Sequence, residues 1–529
     1  MVQIIFFGIL LLYVVVGVIV TRFVRNQKDF YVMGEKGSTL LIVGTLAATY
    51  LSSVSLMGIA GQAYAEGPLV IPTLGSFGAW LGTLISILYV GRKMRAMKLL
   101  TVPEFFEKRF NSKPVSVVAT VIMIIGLFGY GIIDFIGAGL ILSEITGINF
   151  SLMIIMFTLA IMVFTVLGGM YGVIVTDTLM FFTMLAVSVI IAPLLIGQAG
   201  FDAMKNLADT IPGYWTMGGT EGRSITWSIS QFLVWILFFS VIPAHISRLF
   251  PAKNDFVVLK TGIYAVFLVP LMQIPIFLAA GAMRVLEPNI ADPDNVMVIG
   301  FLNYTSSPVA GVALAGIMAA IMSTASTIFI LIGFALSRDL LERLAFKKLN
   351  EKQSLRLGRI TQTGVALIAC IIALYRPSAI YWISIYAGAF FAVGWFPTIF
   401  ASFTWKRMNS KAALASMITG VVSFVILGEL IRNGFVNLPL DLDELIIAFV
   451  LSVLVLIIVA LMTKPNEHEL NMATTMKTLK LNKETVDFFL SQPDGLAKIK
   501  RQYRQIQITA IAVSIVAIVI WSYLLIKLA

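Results

Sequence analysis

Long apolar runs alternate with shorter polar connections from one end of the chain to the other. About fourteen runs are apolar enough and long enough to cross a bilayer as helices: approximately 3–22, 40–65, 69–90, 115–141, 150–168, 173–197, 226–247, 256–283, 309–336, 359–376, 379–404, 412–431, 444–462 and 507–527. Between them, segments 198–225 and 284–308 are long enough for short helices or lids, and the second is acidic and turn-rich (EPNIADPDN). The largest polar piece is 463–506, whose LKLNKETVDFFL stretch reads either as a helix on the membrane surface or as a solvated linker. The pattern predicts an all-α polytopic membrane protein.

Composition narrows the class. With 59% hydrophobic and 12% charged residues and a mean hydropathy of +0.95, a soluble domain could not hide the apolar surface. The single cysteine, Cys370, excludes a disulfide framework, and the two histidines, His245 and His468, stand too far apart in sequence to suggest a histidine metal centre. The net charge of +11 calls for no nucleic acid, because it follows the asymmetry of membrane loops. Arg22, Arg25, Lys28 and Lys36, then Arg92, Lys93, Arg95 and Lys98, then Arg338, Arg343, Lys347, Lys348, Lys352, Arg356 and Arg359, then Lys406, Arg407 and Lys411 fall on one side. The other side carries only Lys205, Arg223, Arg284, Arg376, Arg432 and Lys527. The first side is expected to be cytoplasmic, which puts both termini outside. The apolar N-terminus lacks a charged leader and a clear cleavage site and is expected to be a retained helix.

Two runs are poorly suited to an unbroken helix. The second packs Thr49, Ser52, Ser53 and Ser55 beside glycines, and the seventh carries Ser240 and Pro243. Proline removes a backbone donor, and a broken membrane helix survives only where its freed polar groups line a cavity or find a ligand. These interruptions open the two halves of a ten-span block, so with five spans per half the second is inverted across the membrane. The expected organisation is an extra N-terminal span and cytoplasmic loop (1–39), a first inverted repeat (40–197), a second (226–404), and C-terminal extra spans with the cytoplasmic segment 463–506 (405–529).

Candidate chemistry lies inside the runs. In Ala310 to Leu336, Ser323, Thr324, Ser326 and Thr327 cluster at mid-span, and Ala320, Ser323 and Thr327 share a helical face. Neutral hydroxyls can replace water around a small hard cation, or they can bond back to their own helix and allow close packing. Asp177 sits between Thr176 and Thr178, about a turn inside its span. It marks an ion path or is stabilised by a helix N-terminus. Asp134 lies deeper, among glycines, and faces either a substrate cavity or a neighbouring helix. No basic residue is evident within a span as an anchor for a carboxylate, although backbone amides at a broken helix can serve. Neither a Walker sequence nor a dinucleotide fingerprint is present, and no enzymatic activity is expected.

Five stretches in order resemble the sodium/solute symporters, a family that includes sodium-coupled sugar, proline, pantothenate, monocarboxylate and sialic acid transporters. KDFYVMG, TVPEFFEKRFN (101–111), LGGMYGVIVTDTLMF, AAIMSTASTIFILIGFALSRDL and WKRMNSKAAL (405–414) are similar to its motifs, and the likeness runs from about 28 to 411. The resemblance implies a LeuT-type 5+5 inverted-repeat core with extra helices, fourteen spans in the sugar branch, and residence in the cell membrane. It implies a first sodium bound by backbone oxygens of Ala48, Leu51 and Ala320 and the hydroxyls of Ser323 and Thr324. In some branches a second sodium uses the acid that Asp177 matches, with hydroxyls matching Ser323, Ser326 and Thr327. One or two sodium ions are therefore expected as coupling ions, and two is the sharper expectation.

The candidate substrate pocket combines Ser52, Ser53 and Ser55 with Trp80, Tyr130, Asp134, Trp235 and Phe238; its aromatics read equally as packing. Tyr50 stands where the proline branch has an acid, and Ala79 where the sugar branch has a carboxylate, which favours a carboxylate, vitamin or amino acid over a sugar. The expectation is sodium-coupled symport of a small organic solute by alternating access, with the lipid bilayer and the solute as partners and no obligate protein partner. The alternative is a transporter-like sensor or scaffold, disfavoured by the lack of an output module after the last span.

Overall fold

The computed structural model describes residues 1–342, 349–375, 380–439, 442–478, 487 and 490–528. Arg343, Lys347, Lys348 and Arg376 fall outside them, as does LKLNKETVDFFL apart from Asp487 and Leu490. The described residues build helices joined by short turns, with one isolated bridge between Gly37 and Ala252. Ten helices are long and apolar enough to cross a membrane, or eleven when the bent pair Thr39–Tyr50 and Val54–Glu66 is taken as one span. Helices also cover the remaining expected runs, as Ile71–Ile85, Phe150–Met162 and Gly495–Leu528. The last five residues of the third expected run, 86–90, continue the helix from Ser86 through Gly91 into Arg92–Ala96.

Local chemistry sets the ends. Asn149, Asn254 and Asn409 each accept a backbone N–H at a helix start, and Asn350 forms a reciprocal capping box with Gln353. The fifth and sixth runs are divided at Gly169, whose φ of 53° and ψ of −153° leave helical space. A Cβ there would lie 2.4 Å from the Phe30 ring, so both the backbone angle and the space require glycine.

Burial separates the helices into a centre and a rim. The apolar window of Ser307–Glu342 is entirely buried, whereas those of Val2–Phe23, Ser410–Arg432 and Glu444–Met462 are mostly open. The hydroxyl-bearing helix Ser307–Phe334 packs against Thr39–Tyr50, Lys113–Thr146 and Phe150–Ala186. Large apolar side chains such as Ile190, Ile371 and Ile457 stay exposed on the outside, a surface suited to lipid.

Both expected breaks occur. Thr39–Tyr50 ends at Leu51, which adopts extended angles (φ −81°, ψ 119°), and the chain resumes as Val54–Glu66 after a 51° bend. Ile225–Val241 ends at Ile242 (φ −59°, ψ 123°), and Pro243 starts the short helix Pro243–Ser247. Proline fits that first position because its missing N–H would have no helical partner there.

Candidate ion and substrate site

The break at Leu51 lies beside the hydroxyl helix. Ser323 Oγ donates to the Ala48 carbonyl at 2.8 Å and to the Ala320 carbonyl at 3.0 Å. Thr324 Oγ1 donates to the Ala320 carbonyl at 3.1 Å and reaches the Thr49 carbonyl at 3.5 Å. Ser323, Thr324, Ala48 and Ala320 thus meet in one buried place, with Leu51 at the turn beside them. All donors there are neutral oxygens, and hydroxyls that now bridge to carbonyls can turn their lone pairs toward a cation without leaving the site.

The oxygens expected around a second ion have a different neighbour. Arg248, one residue beyond the expected seventh span, is fully buried and forms an ion pair with fully buried Asp177, Nη2 to Oδ2 2.9 Å. The same Nη2 contacts Thr327 Oγ1, Nε donates to Thr49 Oγ1 at 3.2 Å, and Nη1 lies 2.9 Å from Met170 Sδ. Thr45 Oγ1 donates to Asp177 Oδ2 at 2.7 Å. Asp177 and Thr327 are brought together, but across a guanidinium, while Ser326 Oγ donates to the Ser323 carbonyl of its own helix at 2.9 Å. Arg248, one residue past the expected span, is a buried basic side chain that the run lengths do not reveal, and its carboxylate partner is Asp177. The break before Pro243 accounts for the arginine's position: the short helix packs against Thr39–Tyr50 and Ser307–Phe334, and Arg248, the residue that follows it, turns into the bundle. Close approach is also built in opposite Asp177, since a Cβ on Gly44 would lie 2.9 Å from Thr178 Cγ2.

Most of the expected pocket residues fall into two hydrogen-bonded groups and one aromatic row. Ser53 Oγ donates to Asp134 Oδ1 at 2.6 Å, and Asp134 Oδ2 has no hydrogen-bond partner among the described residues. Ser55 and Trp80 are joined by Gln273: Trp80 Nε1 donates to Gln273 Oε1 at 2.7 Å, and Gln273 Nε2 donates to Ser55 Oγ at 3.0 Å. Ser52 is buried at the break. Tyr130 packs on Phe238 at 6.0 Å between centroids, and Phe238 on Trp235 at 6.3 Å, so the aromatics form one wall. Tyr50 stacks on His245 at 5.7 Å and touches Phe239 at 5.3 Å. Sequence reasoning missed Arg248, Gln273, Thr45 and Thr49 as participants. Gln273 gave a usable signal, as a large amide inside an apolar run.

The far end of the bent pair is tied down by side chains. Arg223 makes a two-point ion pair with Glu66, both bonds 2.9 Å, and Tyr214 Oη donates to the carbonyls of Ala63 and Tyr64. These contacts hold the segment after Phe201–Thr210 onto the far end of the bent pair.

Comparison with known proteins agrees with this architecture. Residues 30–420, most of the chain, match the model of the sodium:solute symporter family. The osmoregulated proline transporter OpuE of Bacillus subtilis is 27% identical over 458 residues, covering 82% of this chain and 89% of the relative. A sodium/pantothenate symporter of Haemophilus influenzae is 26% identical over 439 residues, covering 79% and 88%. Among solved structures, a substrate-bound, outward-open sodium-coupled sialic acid symporter superposes with a TM-score of 0.74 at 20% identity, covering 88% of this chain and 99% of that one. Mhp1, a nucleobase-cation-symport-1 family transporter, gives 0.55 at 16% identity, covering 85% and 99%. These likenesses assign the LeuT-like transporter fold. The chain is a multi-pass membrane transporter, not an enzyme, and it belongs to the sodium:solute symporter family.

Proposed function

We propose that this protein couples inward sodium flow to uptake of a small organic solute by alternating access. The observation that carries the reading is the meeting of Ser323 and Thr324 with the carbonyls of Ala48, Thr49 and Ala320 at a helix break. The sodium ion takes these oxygens together with the Leu51 carbonyl. Binding there ties the bent pair to the hydroxyl helix, and the membrane potential drives the ion inward by about 2.3 kcal/mol per 100 mV for each charge. The working topology is fourteen spans in the cell membrane with both termini outside, the two five-span repeats at 40–197 and 226–404 carrying the site between them.

Ser52, Ser53, Ser55, Trp80, Tyr130, Asp134, Trp235 and Phe238 form the solute pocket, with Gln273 added. The free Oδ2 of Asp134 accepts a hydrogen bond from an N–H or O–H of the solute, since a buried acceptor without a partner is costly. Ala79 and Tyr50 stand where the sugar and proline branches carry acids, and the relatives named above include proline and pantothenate transporters. An amino acid, a vitamin or a small carboxylate therefore fits better than a sugar. A thermal-shift screen with proline, pantothenate, other amino acids and small carboxylates tests this. The expected result is stabilisation by one solute class in sodium and not in potassium. Stabilisation of equal size in both salts would contradict sodium coupling.

A further inference from the structure

We infer that Arg248 is the permanent occupant of the second cation position. Its guanidinium, and not a second sodium ion, balances Asp177, so the protein binds a single sodium per cycle. The inference rests on the sodium reading of the first site and specifies its stoichiometry.

Three observations converge. The guanidinium lies among the oxygens expected to hold an ion, with Asp177 Oδ2 at 2.9 Å, Thr49 Oγ1 at 3.2 Å and Thr327 Oγ1 in contact with the same nitrogen that reaches Asp177. Both charged side chains are fully buried, so water does not screen them and each is compensated chiefly by the other. The pair also carries no net charge. With the guanidinium in place the carboxylate is already balanced, and the arginine nitrogens fill the space among these oxygens, whereas removing them would leave a carboxylate ringed by hydroxyls, which is a sodium site in chemical terms.

Arginine suits this post because it stays protonated and its planar fork donates to several oxygens at once. Tethered to the backbone, it holds the helix of Asp177 to the hydroxyl helix without entering or leaving with the solute. Among the described residues the first site holds no such group: its hydroxyls meet carbonyls, so the charge that arrives there is the ion's own.

Direct binding of radioactive sodium to the purified full chain needs no knowledge of the solute. At saturation the wild type should hold one sodium per chain, and S323A/T324A should hold none. Arg248→Gln should gain a second ion, and R248Q/D177N should fall back to one. Arg248→Lys keeps a tethered charge and should stay at one, and the wild-type count decides if R248Q does not fold. Two ions on the wild type would overturn the inference while leaving sodium binding intact. A folded R248Q that still holds one would overturn it as well. No sodium on the wild type would remove the underlying sodium reading, an outcome distinct from the other two.

Discussion

Ser323 donates its hydroxyl to the carbonyl of Ala48, 2.8 Å away and 275 positions earlier in the chain. The bond joins the helix whose apolar window is wholly buried to the point where the bent pair leaves helical geometry. A cation at that junction would exchange hydrogen bonds between the two helices for shared coordination, which is how ion binding can set the relative position of two elements. S323A/T324A removes both hydroxyls with little change in helix propensity. We expect at least a tenfold loss of apparent sodium affinity in protein that remains monodisperse in detergent. Unchanged sodium dependence of thermal stability would show that the hydroxyls only pack.

The Asp177–Arg248 pair predicts a characteristic pattern of stability. Removing one partner strands a buried charge, at a cost of about 3–5 kcal/mol. D177N and R248Q should therefore each lower the melting temperature strongly, and the double variant should be less damaged than the sum of the two. A double-mutant cycle on thermal unfolding measures this, and additive losses would mean that the two side chains do not depend on one another.

Asp134 separates solute binding from ion binding. Asp134→Asn keeps the shape and can still accept from Ser53, but it exchanges an acceptor for an amide donor at Oδ2. The variant should bind sodium as the wild type does and lose at least tenfold in affinity for the stabilising solute. Equal loss of both would place Asp134 in the scaffold of the bundle and not in the pocket.

Gly169 provides a test of the fold. Alanine there meets both a positive φ and the Phe30 ring at 2.4 Å, whereas Gly197 has nothing within 4 Å of an added Cβ. Gly169→Ala should destabilise by about 1 kcal/mol or more and Gly197→Ala should not, as read from their melting curves. Equal effects would contradict the break between the fifth and sixth runs.

The sequence was informative wherever local chemistry decides structure. Pro243 announced the interruption at Ile242, serines beside glycines announced the bend at Leu51, and apolar length located helices over each expected run. The count of fourteen was harder, because Phe150–Met162 is short and ten or eleven helices meet the length and hydropathy of a span among the described residues. Hydroxyls at helical spacing singled out Ser323 and Thr324, but spacing cannot say which carbonyl a hydroxyl faces. Arg248 was illegible for a physical reason: an arginine just past an apolar run looks like a cytoplasmic anchor. Only the tertiary path after the break, which packs Pro243–Ser247 between two core helices, turns it inward. Gln273 illustrates the same limit, since its bridge from Trp80 to Ser55 spans three separate runs.

A sodium gradient that does the work of uptake leaves a measurable signature. The most direct measurement loads proteoliposomes with potassium, imposes an inward sodium gradient with the interior negative, and follows a solute chosen by the stabilisation screen. The solute should accumulate transiently above its external concentration, in a way that needs both the gradient and sodium itself, grows with the potential, and disappears in S323A/T324A. Equal uptake when potassium replaces sodium on both sides would contradict it.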